Sequence, residues 1–154
     1  MENANPLKEF EIRSASKEDT PLILTFIKEL AEYEKLSHEV VATEKDLEKY
    51  LFSNDKVAEV VIGYYRDTPV GFALFFHNFS TFVGKPGIYL EDLYVRKEYR
   101  GKGFGKKLLT YLANLAVERN CGRLEWAVLD WNEPSINFYK SLGARIMNEW
   151  LINR

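Results

Sequence analysis

Residues 87–112 constrain this chain more than any other stretch. GIYLEDLYV is apolar, β-branched and aromatic, which predicts a strand. RKEYRGKGFGKK follows as a turn carrying Gly101, Gly103 and Gly105, and LLTYL begins a periodic apolar helix. A glycine-rich turn that opens a helix presents backbone N–H groups at the positive end of the helix dipole, a seat for phosphate. Six basic side chains, Arg96, Lys97, Arg100, Lys102, Lys106 and Lys107, crowd the turn against the single acid Glu98. Spacing excludes two phosphate motifs. A P-loop puts its first glycine where Arg100 stands and Ser or Thr where Lys107 stands. The dinucleotide fingerprint G-x-G-x-x-G meets Lys106 or Leu108 where its third glycine belongs.

With 154 residues the chain suits one domain spanning 1–154, with residues 1–9 as a loose leader. Phe10–Arg13 alternates as a short strand. A helix follows from a cap at Asp19 or Thr20 to about Glu34, with Leu22, Ile23, Phe26, Ile27 and Leu30 at helical spacing. Thr43-Glu44-Lys45-Asp46 has the form of a capping box for a second helix bearing Leu47, Tyr50 and Leu51. Residues 57–65 and 70–76 read as a hairpin turning at 66–69. The aromatic, glycine-rich stretch 78–87 reads as a loop able to line a pocket, or as a simple connection. Beyond the central strand and turn, the spacing predicts a helix to about Asn120 and a strand over 124–129. A helix capped by Asn132 and ending at Gly143, and a last strand over 144–152, complete the chain. The order β-α-α-β-β-β-α-β-α-β implies an α/β (α+β) fold: a mixed central sheet with helices on both faces.

A net charge of −2 gives no global basic field, so the basic turn suits a small polyanion better than a nucleic acid. No apolar run approaches membrane-spanning length, so no membrane partner is expected. Cys121 is the lone cysteine, which suits a reducing cytoplasm. With only His38 and His77 beside it, neither a metal site nor a Cys–His nucleophile is expected.

Glu91 and Asp92 interrupt an apolar strand, and as neighbours they are expected on opposite faces. They mark either a strand end in water, paired with a lysine, or a cleft where a carboxylate holds an amine or accepts its proton. Tyr139 shares a helix face with Ile136, a position that suits core packing as well as chemistry. Tyr33 and Glu34, at a helix end, suit a solvated terminus.

Arg100-Gly101-Lys102-Gly103-Phe104-Gly105 resembles the R-x-x-G-x-G turn of the GCN5-related N-acetyltransferase (GNAT) superfamily. WNEPSINFYKSLGA (131–144) resembles that superfamily's second acetyl-CoA motif. Together with KELAEYEKL and YLEDLYV, these strings are similar to the spermidine/spermine (diamine) and thialysine acetyltransferase branch, over about residues 12–150. The resemblance implies the GNAT fold, with a splayed strand pair that binds CoA. It implies acetyl transfer from acetyl-CoA to a primary amine of a small molecule such as a polyamine or thialysine, through a ternary complex and in a homodimer. It assigns cofactor backbone contacts to Leu93, Tyr94 and Val95, and the pyrophosphate loop to Gly101, Lys102, Gly103, Phe104, Gly105 and Lys106, led by Arg100. Asn132, with Ser135, falls at the pantetheine arm and Tyr139 at the general acid. Tyr33, Glu34, Glu91, Asp92 and Glu125 fall in the amine site, with Glu91 accepting the amine proton through water.

The chain departs from the polyamine pattern in Ser80-Thr81-Phe82 and in Glu125, where polyamine enzymes carry Asp-Pro-Trp and His. AVLDWN (127–132) leans toward the thialysine type. Two other readings stay open: a non-catalytic CoA-binding module, and a protein or peptide acetyltransferase. The bulky residues Phe79 and Phe82 favour a closed small-molecule pocket over the open groove a peptide needs.

Overall fold

A computed structural model describes residues 5–154. Five strands form one mixed sheet in sequence order: β1 (Phe10–Ser14), β2 (Glu59–Tyr65), β3 (Thr68–Ser80), β4 (Lys85–Val95) and β5 (Leu124–Trp126). The first four pair antiparallel and β5 joins β4 in parallel. Four helices complete the fold: α1 (Thr20–Tyr33), α2 (Glu44–Phe52), α3 (Phe104–Glu118) and α4 (Glu133–Ser141). The mixed sheet with helices on both faces agrees with the sequence expectation.

Each face has its own core. On one side Ile23 and Phe26 of α1 and Leu51 of α2 pack on Val60, Ile62 and Phe72. On the other, Phe104, Leu108, Leu109 and Leu112 of α3 pack on Val61, Ala73, Phe75, Ile88 and Leu90. Full burial of such a side chain stabilises the fold by about 1.5–3 kcal/mol. The residues that set the helical period of α1 and α3 are therefore the ones that clamp the sheet. Local capping agrees with the sequence: Thr43 and Asp46 form a reciprocal capping box, and Asn132 accepts from the Ser135 N–H.

Several expectations are corrected. Residues 6–9 form a 3-10 turn and Leu7 packs against the α3-side core, so they are not a loose leader; residues 1–4 lie outside the described residues. Segment 78–87 is a hairpin, since β3 runs on to Ser80 and β4 begins at Lys85. Phe82 is 99% exposed at its tip and Phe79 is also exposed, so neither closes a pocket. The strand predicted over 124–129 ends at Trp126. The strand predicted over 144–152 does not form. Its strand-like composition is not enough to dock it: the outer edge of β5 is open, yet residues 144–152 do not pair there, and Trp150, Leu151 and Ile152 are exposed. Among the described residues no helix is long and apolar enough to cross a membrane.

The feature that positions the site is an irregularity in β4. Leu74 pairs with Asp92 and Phe75 with Leu90, leaving Glu91 as an extra residue in a β-bulge. The β4–β5 ladder holds Ile88, Tyr89 and Leu90 against Leu124, Glu125 and Trp126, then stops. A bulge bends and twists its strand. Here it falls one residue past the last β5 pair, so β4 turns away from β5 and continues to Val95 paired with β3 only.

Candidate active site

The parting of β4 and β5 leaves a backbone groove. The Arg96 N–H bonds to the Val70 carbonyl on the β3 side. Backbone polar groups alternate along a strand, so Leu93 and Val95 turn theirs to the open β5 side. Tyr94 turns its own to β3; a Cβ added at Gly71 would meet the Tyr94 carbonyl oxygen at 2.4 Å, which is why glycine stands there. Of the three residues expected to offer backbone contacts, Leu93 and Val95 face the groove.

The groove runs into the glycine turn. Gly101 (φ 75°) and Gly103 (φ 85°) adopt left-handed conformations that only glycine takes without strain. Gly103 is the N-cap of α3 and no side chain caps that end. The N–H groups of Phe104, Gly105 and Lys106 therefore have no intrahelical acceptor. The Phe104 ring is buried and stacks on Phe10 at 4.3 Å, so only its backbone faces a ligand. Lys102 and Lys106 border the turn. Arg96, counted from sequence among its basic side chains, is occupied elsewhere. It binds both carboxylate oxygens of Glu29 (2.9–3.2 Å) and the Pro69 carbonyl, fastening α1 to the end of β4.

The bulge also arranges the acids. Cross-strand partners share a face. Asp92, opposite Leu74, faces α1, while Leu90, opposite Phe75, faces α3. Glu91 lies between them, and its charge acts on both Asp92 and Tyr89. The expectation that Glu91 and Asp92 diverge to opposite faces holds for a regular strand, and the bulge removes its premise. Burial first, then the charges of Glu91 and Glu34, push the Asp92 carboxyl up to about 7. Burial also raises Glu34, the C-cap of α1. Burial, with Glu34 and Tyr33 nearby, pushes the Tyr139 phenol up to about 12, so it holds its proton at neutral pH. Its ring meets Trp126 edge-on at 5.0 Å. Tyr33, Glu34, Glu91, Asp92 and Tyr139 thus form one acidic, phenol-bearing cluster beside the end of the groove.

Two contacts link the end of α1 to the groove and the start of α4. The Tyr33 hydroxyl donates to Oδ1 of buried Asn132 at 3.0 Å, the same oxygen that accepts from the Ser135 N–H at 3.4 Å. Arg100 donates from Nε to the Val95 carbonyl at 2.7 Å and lies over the rings of Tyr33 (4.8 Å) and Tyr94 (5.5 Å). Glu125 pairs with Arg123 at 2.7 Å and accepts from the Asn78 amide, so its carboxylate is already engaged. Trp126 escaped the sequence reading because a three-residue strand shows no periodicity.

A groove along the edge of β4 that β5 leaves open, an uncapped helix start and a protonated phenol among carboxylates suit an acyl-transfer enzyme. The comparisons with known proteins agree: a sequence model of the acetyltransferase (GNAT) family matches residues 25–144, and the chain belongs to that family. It is similar to an L-ornithine N5-acetyltransferase of Arabidopsis thaliana, with 34% identity over 93% of this chain and 82% of the relative. It is also similar to the thialysine N-epsilon-acetyltransferase of Sus scrofa, with 39% identity over 90% of this chain and 85% of the relative. Among solved structures, an integron cassette protein from the mobile metagenome of V. cholerae superposes with a TM-score of 0.78 at 31% identity, covering 95% of this chain and 91% of that one.

Proposed function

We propose that this protein transfers the acetyl group of acetyl-CoA to a primary amine of a small diamine or diamino acid. The observation that carries this reading is the placement of a protonated Tyr139 and the carboxylates of Glu34, Glu91 and Asp92 at the end of the β4 groove. Similarity to thialysine and ornithine acetyltransferases supports an acceptor of that class.

Acetyl-CoA supplies the acyl group as a thioester. The N–H groups of Gly101 to Lys106 and the cations of Lys102, Lys106 and Arg100 bind its phosphates. The open backbone groups of Leu93 and Val95, with Asn132 and Ser135 across the groove, hold the pantetheine arm. The Val95 N–H is the candidate to polarise the thioester carbonyl. Glu34, Glu91 and Asp92 have no ion-pair partner among the described residues, so a substrate with two amines supplies the missing positive charge. Glu91 takes the proton of the attacking amine through water, and Tyr139 gives its proton to the departing thiolate. Holding both substrates in line supplies much of the rate, so the reaction runs through a ternary complex. The exposed apolar residues Trp150, Leu151 and Ile152 support a homodimer in which a second copy covers them. A lone, free Cys121 supports a cytoplasmic protein.

The test is a thiol-release screen of thialysine, ornithine, lysine analogues, putrescine, spermidine and amino-sugars. Turnover of diamino acids or short diamines is expected. Tight CoA binding without release by any amine would instead assign a non-catalytic CoA-binding module.

A further inference from the structure

Arg100 sits oddly for a residue expected only to lead into a phosphate loop. Its side chain folds back from the turn instead of reaching along it. Its Nε–H takes the Val95 carbonyl at 2.7 Å. Its guanidinium covers Tyr33 at 4.8 Å and Tyr94 at 5.5 Å, and among the described residues it has no carboxylate partner. Tyr33 in turn bonds to Asn132 at 3.0 Å. Val95, Arg100, Tyr33 and Asn132 therefore form a continuous strap from the end of β4 to the cap of α4. The strap lies across the part of the groove where the pantetheine arm is proposed to pair with Val95.

We propose that Arg100 is a donor-specificity latch: it competes with the pantetheine arm for the Val95 carbonyl and yields to donors whose phosphates draw its guanidinium away. The inference rests on the acetyl-CoA reading of the groove. Its physical basis is a balance of partners. In the folded-back position Arg100 gains a charge-assisted hydrogen bond and two aromatic faces, but no opposite charge. A pyrophosphate at the neighbouring glycine turn offers two or more anionic oxygens to the same planar fork, which is the stronger partner. A donor without phosphates must displace the latch with nothing to offer in return. The apparent affinity of such a donor is then reduced by the fraction of molecules in which the latch is open.

The test compares CoA with pantetheine, its phosphate-free portion, by isothermal titration calorimetry on the wild type, Arg100→Ala and Arg100→Lys. Removal of a latch closed nine parts in ten tightens pantetheine about tenfold in Arg100→Ala, while CoA weakens because a phosphate contact is lost. Arg100→Lys keeps a cation for phosphate but cannot stack flat on Tyr33 and Tyr94. It is expected to tighten pantetheine as well, with CoA affinity kept within about threefold. Pantetheine bound no more tightly by Arg100→Ala than by the wild type overturns the latch and leaves Arg100 a plain phosphate ligand. A wild type that binds no CoA overturns the latch and the acetyl-CoA reading together. CoA binding without thiol release overturns acetyl transfer alone, and the pantetheine comparison still decides the latch.

Discussion

The Tyr33 hydroxyl donates to Oδ1 of Asn132 over 3.0 Å, joining residues 99 positions apart. Tyr33 ends α1, beside the carboxylates proposed to face the acceptor amine. Asn132 caps α4, the helix that carries Tyr139. One hydrogen bond thus ties the end of α1 to the helix of the proposed acid. Tyr33→Phe removes the donor and Asn132→Ala removes both the acceptor and the α4 cap. In a double-mutant cycle read by urea denaturation, the two are expected to couple by about 0.5–1.5 kcal/mol. Strict additivity would mean that the bond contributes nothing in solution.

Tyr139 keeps its proton because burial raises it to about 12. Tyr139→Phe retains the ring that packs on Trp126 and deletes only the acid. Turnover is expected to fall about 10²- to 10⁴-fold with CoA affinity nearly unchanged. Steady-state thiol release together with calorimetry checks both parts. Turnover equal to the wild type would remove Tyr139 from the chemistry.

Asp92 links the acidic cluster to stability. Its carboxyl rises from 3.8 to about 7 on folding, chiefly through burial. Between those values the folded chain holds a proton that the unfolded chain has released, so unfolding free energy falls as pH rises. The penalty is absent below about pH 4 and complete above about pH 7, where it is on the order of a few kcal/mol. Asp92→Asn is therefore expected to raise the melting temperature at pH 8 and leave it nearly unchanged at pH 4. A uniform shift at both values would refute the linkage.

Arg96 and Glu29 form a half-buried pair between the end of β4 and α1, with the guanidinium also over Phe26 at 4.8 Å. Arg96→Ala leaves Glu29 without its partner and uncovers an aromatic face. A loss of about 1–3 kcal/mol is expected from denaturant midpoints, larger than for the exposed pair Lys49–Asp55.

Gly101 and Gly103 test the strain of the turn. Both have positive φ, so alanine costs about 1–2 kcal/mol at either. A Cβ at Gly101 meets nothing within 4 Å, whereas at Gly103 it meets the Leu7 side chain at 3.3 Å. Gly103→Ala is expected to melt lower than Gly101→Ala. Equal melting temperatures would show that the turn from Pro6 to Glu9 gives way freely.

Much of this protein is legible along the chain because the relevant physics is local. Helical spacing marks α1 and α3, Thr43 and Asn132 announce their helices, and the closely spaced glycines mark the turn that opens α3. The family resemblance, carried by those same local strings, points to the residues that converge around Tyr139. What escaped is non-local. Whether residues 144–152 become a strand depends on a partner edge that no local pattern supplies. Whether Phe82 covers a pocket or caps a hairpin depends on the length of β3.

Sequence by itself therefore determined the helices, the glycine turn and the identities of the acidic and phenolic side chains. Only the tertiary structure decided how they meet. The bulge at Glu91 depends on the register between β3 and β4, a pairing of residues far apart in the chain. That one extra residue turns Asp92 toward α1, ends the ladder with β5 and opens the groove at Leu93 and Val95. Arg100 reaches that groove for the same reason: its partners Val95, Tyr94 and Tyr33 are brought together by the sheet and α1.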